Sequence, residues 1–405
     1  MRIAQINAVA NGSTGSIMLH IARHAKNNGH DIATFSTYTF TTRSKKLPLP
    51  PENHAYFGSY GENKLHTVLG QLTGLNGAFS FFGTKALIKQ LKAFDPDVIH
   101  LHNLHTFCID LPMLFRYIKK NRIPVVWTLH DCWSFTGHCP YFVMAQCDKW
   151  ETECHHCPQL SVYPRSRVDN VKMAHRLKKK WFSGVENMTL VTPSNWLATL
   201  AKESFMGQYP VRVIHNGIDL AVFKPTEGNF RAKYGLEGKK ILLGVASDWG
   251  RRKGLDVFSE LAARLGDDYK IVLVGTNDGI DQSLPDNILS IHRTENQQAL
   301  AEIYTAADLF VNPTREENYP TVNMESLACG TPVLTFRTGG SPEIPDETCG
   351  SVVEVNDIDA MEREIRRITK ERPYTREACL TRAKQFDMND RFAEYLELYK
   401  EVCKR

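Results

Sequence analysis

Two carboxylates eight positions apart, Glu317 and Glu325, stand in the stretch NPTREENYPTVNMESLACGTPVL, residues 312–334. Pro320 suits the first turn of a helix reaching about Gly330, since its missing N–H is not needed there and its ring presets the torsion. The amides of Thr321 and Val322 then point out of the helix start toward an anion. Glu317 just before that helix and Glu325 inside it are spaced to aim both carboxylates at one cleft, where ionised oxygens accept hydrogen bonds from hydroxyl groups. Two solvated glutamates at a helix end would carry the same spacing, so the flanking residues have to decide.

A second grouping is thiol-based. Cys139, Cys147, Cys154 and Cys157 read C-x7-C-x6-C-x2-C, and only the last pair has the spacing typical of a zinc knuckle. Four thiolates with no aspartate among them and no open position describe a closed structural zinc site. Free buried cysteines are the other reading, and Cys132 stands outside the set. His130 closes the run PVVWTLHD at the carboxyl end of an expected strand, with Asp131 beside it to orient the ring. His100, His102 and His105 in HLHNLH read as cleft-lining or core residues rather than metal ligands. Gly12 and Gly15 in NGSTGS follow the first expected strand and precede a helix, a turn where backbone amides approach phosphate or sugar closely. The fingerprint G-x-G-x-x-G is absent, and a plain strand-to-helix turn is the alternative. DPD at 95–97 reads as a turn cap.

The elements that must position these groups alternate along the chain. RIAQINA, DIATFSTY, DVIHLHN and PVVWTLHD are expected strands, separated by the helical patterns SIMLHIARHAKNNGH, TKALIKQLKAF and LPMLFRYIKK. After the cysteine segment come MTLVTPS, NWLATLAKES and VRVIHNG, then a Gly/Pro-bearing interruption at residues 216–230 that reads as a linker. A second series follows: KKILLGVAS, GLDVFSELAARLG, YKIVLVGT, NILSIHR, LFVNP and GTPVLTF, with Thr294 and Gln297 spaced as a capping box for the helix ENQQALAEIYTAA. Alternation of this kind describes parallel sheets covered by helices, and ligands in such sheets sit at the carboxyl ends of the strands. The expected fold class is therefore α/β, two doubly wound Rossmann-like domains facing each other across a cleft. Their bounds are 1–215, with a cysteine-bearing insertion at about 132–182, and 216–380, followed by an amphipathic helical segment 381–405 packing back on the first domain.

With 405 residues, 42% hydrophobic and 23% charged, the composition is that of a globular protein of two domains. No signal-peptide pattern and no run near the roughly 18 apolar residues of a membrane span is present, so a cytoplasmic chain is expected, where stable disulfides are rare. Residues 1–205 carry 23 Lys and Arg against 13 Asp and Glu, the remainder 26 against 32. The basic half suggests an anionic partner. Arg165, Arg167, Lys172, Arg176, Lys178, Lys179 and Lys180, beside Trp181 and Phe182, form a stretch suited to an anionic membrane surface or a lipid diphosphate, or equally to a solvated helix face.

NGSTGS, HLHNLH, TLHDCWSFTG, TPSNWL, VIHNGID, RKGLDVF, AADLFVNP, the Glu-x7-Glu pair, ACGTPV and GGSPEI stand in one order along nearly the whole chain. In that order the chain resembles the family 4 retaining glycosyltransferases of the GT-B fold, in particular those of bacterial exopolysaccharide, capsule and O-antigen synthesis. The resemblance implies a nucleotide-sugar donor, with UDP- or GDP-sugars in view. Glu325 would accept from its ribose hydroxyls, Glu317 would hold a hydroxyl of the transferred hexose or N-acetylhexosamine, and the backbone at His292, Arg293 and Thr294 would face the base. Gly15, Ser16, Tyr319, Pro320, Thr321 and Val322 fall on the donor side. Lys253 matches the lysine that neutralises the departing diphosphate. Where many members carry an arginine five residues earlier, this sequence has Asp248; Arg251 or, preferably, Arg252 is expected to take over. His130 falls near the donor sugar, while His102, His105 and Asp131 fall toward the acceptor, expected to be a lipid-linked saccharide.

Transfer with retention then needs no divalent cation and no other cofactor for catalysis, because protein cations stabilise the leaving diphosphate. The cysteine set would shape the acceptor side as a structural zinc site. A nucleic-acid-binding module is disfavoured, since the second half is acidic and offers no recognition motif. An epimerase, a phosphorylase or a non-catalytic sugar-nucleotide binder on the same fold are the remaining alternatives.

Overall fold

The computed structural model of the protein describes residues 1–10, 12–37, 53–105 and 107–404. Asn11 in the first glycine turn, Tyr38 at the end of the second expected strand and the terminal Arg405 lie outside the described residues. The chain divides into two compact units, Met1–Ile214 together with Phe392–Arg405, and His215–Arg391.

Unit 1 runs β1 (Arg2–Ile6), α1 (Gly12–Asn27), β2 (Asp31–Thr37), β3 (His54–Phe57), α2 (Tyr60–Thr73), α3 (Phe81–Phe94), β4 (Val98–Leu101), α4 (Leu111–Asn121), β5 (Val125–Thr128), α5 (Val171–Phe182), β6 (Met188–Thr192), α6 (Asn195–Glu203) and β7 (Val211–Val213). Its sheet is wholly parallel in the order β3-β2-β1-β4-β5-β6-β7. Parallel strands covered on both faces read as continuous apolar runs, and VIHL of β4 and VVWT of β5 are buried throughout. Trp127 of β5 packs between Phe115 and Phe182 at ring-centroid separations of 5.5 and 4.8 Å, and its indole N–H donates to the His102 carbonyl at 3.0 Å. The TPSNWL motif is a helix start: the Ser194 hydroxyl accepts from the Leu197 amide at 3.1 Å and caps α6.

Unit 2 runs α7 (Phe230–Tyr234), β8 (Lys240–Val245), α8 (Leu255–Arg264), β9 (Tyr269–Val274), α9 (Asp278–Asp281), β10 (Ile288–Ile291), α10 (Gln297–Ala306), β11 (Leu309–Asn312), α11 (Thr321–Ala328), β12 (Val333–Phe336), β13 (Gly350–Val353), α12 (Ile358–Glu371), α13 (Arg376–Ala383) and α14 (Met388–Cys403). Its sheet is again wholly parallel, β10-β9-β8-β11-β12-β13. The chain order therefore reverses between β1 and β4 in one unit and between β8 and β11 in the other. In open α/β sheets ligands bind outside the carboxyl ends of the strands at such a reversal.

Several elements depart from the sequence expectation. The edge strands β3 and β13 and the helices α2 and α12 were not anticipated; β3 has a single fully buried residue, which leaves little alternation to read. Asn296, not Thr294, caps α10, its side chain accepting from the Ala299 amide at 2.8 Å, so no Thr294–Gln297 box forms. The last segment returns to unit 1 at Phe392 rather than at 381, because the Met388 amide donates to the Ile218 carbonyl at 3.0 Å and Ile218 bridges Asp387 within unit 2.

From Phe392 onward α14 is part of the core of unit 1. Tyr399 and Tyr395 are buried; the Tyr399 hydroxyl meets His100 Nδ1 at 2.6 Å and the Tyr395 hydroxyl meets Thr128 Oγ1 at 3.2 Å. His100 Nε2 lies 2.8 Å from the same Thr128 hydroxyl. His100 is thus a satisfied core residue, with its pKa pushed well down by burial and by the neighbouring His130. Removing one hydroxyl strands a buried ring nitrogen, which costs about 1–3 kcal/mol. Tyr399→Phe is expected to lower unfolding stability by that amount, measured by urea denaturation, whereas Arg23, exposed and outside this network, should tolerate Arg23→Gln with a change below about 0.5 kcal/mol.

Candidate functional site

The loop from Pro313 to Pro320 leaves the carboxyl end of β11 and enters α11; the turn GRRKG, residues 250–254, follows the carboxyl end of β8. Topology makes these two segments neighbours, and a buried arginine ties them together. Arg315, 7% exposed, donates Nη1 and Nη2 to the two Asp256 oxygens at 2.7 and 2.8 Å, Nη1 to the Arg251 carbonyl at 2.5 Å and Nε to Asn356 Oδ1 at 2.6 Å. Its amide donates to the Arg252 carbonyl at 2.8 Å. Two glycines permit the packing. Gly254, at φ +76°, holds its Cα where a Cβ would lie 2.4 Å from the Pro313 carbonyl oxygen, and at Gly339, φ +54°, a Cβ would lie 1.7 Å from that of Glu317.

Within this frame the Lys253 ammonium donates to Glu317 Oε2, with the two side chains 19% and 15% exposed. Burial alone would push the Glu317 carboxyl up. The Lys253 ammonium, the nearby Arg252 guanidinium and the Asn318 amide outweigh it and hold the group below the usual carboxylate range. Arg252 Nη1 donates to the Glu316 carbonyl at 3.3 Å, while Arg251 and Asp248 are exposed.

Pro320 is the residue before α11 rather than its first helical residue, and it offers no side-chain cap to the Thr321 and Val322 amides. Glu325, one turn beyond Thr321, accepts from the Tyr304 hydroxyl of α10 at 3.1 Å and from the Thr321 hydroxyl; burial nevertheless pushes its pKa up to about 7. His292, Arg293 and Thr294 follow β10. His292 is exposed and donates Nε2 to Asp281 Oδ2 at 2.6 Å, which raises its pKa. With Asp278 this is a trio of donor atoms within 4.8 Å of one another. Tyr319 does not line open space: it is 4% exposed and stacks on His215 at 4.8 Å.

In unit 1 the polar residues gather at the carboxyl ends of β1, β4 and β5. Asn7 after β1 accepts with Oδ1 from the Ala8 and Asn103 amides at 3.0 and 3.1 Å and donates to the Val9 carbonyl, tying the first loop to the one after β4. Gly12, Gly15 and Ser16 all belong to the first turns of α1. Gly15 is buried, with no room for a Cβ beside the Ala10 backbone, so close packing accounts for it, while Ser16 is exposed.

The histidines pair differently from the expectation that Asp131 orients His130. Asp131 Oδ2 takes His105 Nε2 at 2.9 Å and Oδ1 takes the Trp133 amide at 2.9 Å; burial would raise this carboxyl, and His105 and the amide hold it down. His130 Nε2 instead meets His102 Nδ1 at 3.0 Å, and His102 Nε2 meets Gln5 Oε1 at 2.9 Å. With Gln5 as acceptor, His102 carries its proton on Nε2 and accepts from His130 Nε2–H, which leaves His130 Nδ1 as an acceptor. Burial pushes His130 down to about 4 and, with the neighbouring histidines, His102 further, so both rings are neutral near pH 7. His102 and His105 are buried at 1% and 6% exposure and are bonded to His130 and Asp131 respectively.

Two family models match the chain: Glycosyltransferase Family 4 over residues 14–222 and Glycosyl transferases group 1 over residues 226–386. The chain belongs to glycosyltransferase family 4. Among curated family relatives, the putative colanic acid biosynthesis glycosyl transferase WcaC of Escherichia coli K12 is 26% identical over 272 residues, 65% of each chain. A D-inositol 3-phosphate glycosyltransferase of Mycobacterium sp. strain JLS is 28% identical over 36% of this chain and 37% of its own. The matched region thus spans less than two thirds of either relative. Among solved structures, sucrose-phosphate synthase from Thermosynechococcus elongatus superposes with a TM-score of 0.73 at 18% identity, covering 99% of this chain and 98% of its own. Anabaena HepE with UDP and glucose gives 0.68 at 15%, covering 99% and 100%. These likenesses establish the GT-B fold.

For this family 4 glycosyltransferase, the residues that sequence reading missed are Arg315, Asp256, Tyr304 and Asn7; Asp256 stands inside the RKGLDVF motif, and the other three stand in none of the motifs on which the resemblance rests. The basic stretch before β6 is also corrected. Lys178 and Phe182 are buried, and Lys172 and Arg176, though exposed, are paired with Glu153; Arg165, Arg167, Lys179 and Lys180 are also exposed. Lys178 Nζ donates to the Trp133 and Thr136 carbonyls at 2.7 and 3.0 Å.

Glu325 supplies a pH test. Its folded pKa of about 7 lies above the unfolded value near 4.5. Between those values the folded chain holds a proton that the unfolded chain has lost, so ionisation opposes folding, fully above about pH 7 and not at all below about pH 4.5. Glu325→Gln, which keeps an acceptor for Tyr304, is expected to raise stability by up to about 3 kcal/mol at about pH 8 and to change little at about pH 5. Thermal unfolding at the two pH values reads the difference.

Proposed function

We propose that the protein transfers a hexosyl or N-acetylhexosaminyl group, with retention, from a UDP- or GDP-sugar to a lipid-linked saccharide acceptor in bacterial surface-polysaccharide synthesis. The observation that carries the reading is the Lys253–Glu317 pair, fixed at the topological reversal between β8 and β11. In the free chain each holds the other. A sugar hydroxyl donating to Glu317 would release the Lys253 ammonium to the diphosphate, beside Arg252 and the amides of Thr321 and Val322. The anomeric C–O bond to the diphosphate breaks and the bond to the acceptor oxygen forms on the same face. The acceptor's proton passes to the departing phosphate oxygen, so nucleoside diphosphate leaves and the charge balances.

Glu325 is suited to the ribose, since hydroxyl donors favour its ionised form. His130, being neutral, serves as a hydrogen-bonding partner for a sugar hydroxyl rather than as a cation. HepE is titled as bound to UDP and glucose and, in another structure, to UDP-glucose, which supports a nucleotide-sugar donor. WcaC is named for colanic acid biosynthesis, which supports a polysaccharide product. Among the described residues no helix is long and apolar enough to cross a membrane. A peripheral route to a lipid-linked acceptor, at the cytoplasmic face, is supported by unit 1. Leu65, Val68 and Leu72 are exposed along α2, Phe81 and Phe82 at the start of α3, and Lys85, Lys89 and Lys92 are exposed further along α3. Apolar side chains beside lysines suit an anionic bilayer surface.

The test is nucleoside diphosphate release from a panel of UDP-, GDP- and ADP-sugars with membrane extracts as acceptor source. One donor is expected to turn over, with Glu317→Ala and Lys253→Ala each reducing kcat/KM by a factor of about 100 or more, the scale of losing one preorganised electrostatic partner. Turnover of the donor without acceptor, or dependent on free phosphate, would replace the transferase reading with an epimerase or a phosphorylase.

A further inference from the structure

The segment between β5 and α5 contains little regular structure, a single 3-10 turn at Lys149–Glu151, yet its cysteines converge. Cys139, Cys147, Cys154 and Cys157 all line one cavity of about 20 Å³, together with His138, Trp150 and Val171. That volume is room for a single water-sized body. Cys139 and Cys154 are buried, Cys147 and Cys157 half-buried, and none of the ten cysteines is in a disulfide. Phe135 and Phe142 close on Trp150 at ring-centroid separations of 5.3 and 5.0 Å. Ordered aromatic packing encloses four free thiols in a space that holds no side chain.

Three independent details fit a metal better than four inert thiols. The Gly137 amide donates to Cys154 Sγ at 3.1 Å, a bond that strengthens when the sulfur is a thiolate. Gln146 and His156, the residues directly before Cys147 and Cys157, hold left-handed backbone at φ +47° and +44°, a conformation that costs a non-glycine residue free energy and persists where the surroundings demand it. The third is Lys178. It is 1% exposed, its ammonium lies 3.5 Å from the centre of the Trp133 ring, and its hydrogen bonds go to two carbonyls rather than to a carboxylate. A buried cation of this kind calls for a neighbouring anion. The groups whose charge acts on it are the sulfurs of Cys154 and Cys139, followed by the Asp131 carboxylate.

We propose that Cys139, Cys147, Cys154 and Cys157 bind one structural Zn²⁺, with Lys178 as the outer-sphere cation that offsets the doubly negative zinc tetrathiolate. Each thiol gives its proton to solvent as the zinc–sulfur bond forms, and no oxidant or reductant is needed. Four soft sulfur donors select zinc, and the absence of an open position makes the site structural. The sulfurs line the cavity without three of them lying within 4.8 Å of one another, so binding one ion requires the side chains to turn inward. The site is independent of the donor chemistry proposed above. Its mechanical consequence falls on the segment directly after His130 and Asp131, because Lys178 grips the Trp133 and Thr136 carbonyls.

The full chain, produced with zinc supplied and purified without chelator, is expected to contain one zinc per chain by elemental analysis. Cobalt exchange is expected to give the sulfur-to-cobalt charge-transfer absorption of a tetrathiolate. The paired Cys154→Ser/Cys157→Ser variant should lose the metal, and Cys403→Ser, exposed and outside the cluster, should keep it. Should the paired variant fail to fold, zinc release from the wild-type chain by a chromogenic chelator decides, and it should be accompanied by a lower melting temperature. A chain without metal, a chain holding iron instead, or stoichiometric zinc retained in the folded paired variant would each overturn the proposal.

Discussion

Arg315 is the group on which the geometry of unit 2 depends, because its guanidinium is fixed from four directions before any ligand arrives. A buried arginine is tolerable only when its donors are satisfied, and here one carboxylate, one carbonyl and one amide oxygen receive them. Asp256 is half-exposed at 51%, so the pair is worth less in energy than a fully buried one. Its value is positional. The loop bearing Glu317 and the turn bearing Lys253 are joined through Arg315 and braced by Gly254 on one side and Gly339 on the other. Lysine has a flexible stem and would otherwise sample many positions. Anchoring its backbone confines the ammonium to the one carboxylate it meets, which is the preorganisation that makes charge stabilisation effective.

The same topology serves the two units with different chemistry. Both place functional loops at the reversal of strand order, yet unit 2 concentrates charge there and unit 1 suppresses it. His130 and His102 are kept neutral by burial, while the Asp131 carboxylate is held in its ionised form and is engaged by His105 and the Trp133 amide. The outcome is a surface in unit 1 that offers hydrogen bonds without a strong field, and one in unit 2 that offers a field to an anion. For the proposed transfer, whose leaving group is anionic and whose acceptor is a neutral hydroxyl, that division would be the useful one.

The alternation of strands and helices and the segments that carry Glu317 and Lys253 were legible in the sequence because each is carried by local periodicity or by a dense run of motif residues, whereas the stretch 216–230, read as a linker, lies within unit 2 and contributes Ile218, Phe223 and Phe230 to its core. What was not legible is pairing at a distance. Asp131 and His130 are adjacent in sequence, but Asp131 bonds His105, 26 positions away, since the strand ends β4 and β5 lie side by side. Arg315 and Asp256 are 59 positions apart and meet only because β8 and β11 are neighbours. Lys178 sits in a run of basic residues and is indistinguishable from them until α5 packs its inner face on the cysteine segment.

That segment poses the remaining energetic question. Ordering backbone costs conformational entropy, and residues 132–170 form no regular element beyond the 3-10 turn at Lys149–Glu151, so they recover little of it through a regular ladder. Trp133, Phe135, Phe142 and Trp150 are a small apolar yield for so long a stretch. A cross-link at the cysteines would supply constraint that regular structure does not, and it would have to be compatible with the cation buried beside it. Four thiols around one small cavity, next to Lys178, meet both conditions at once, so the same feature that stabilises the segment also keeps the strand end carrying His130 and Asp131 in place.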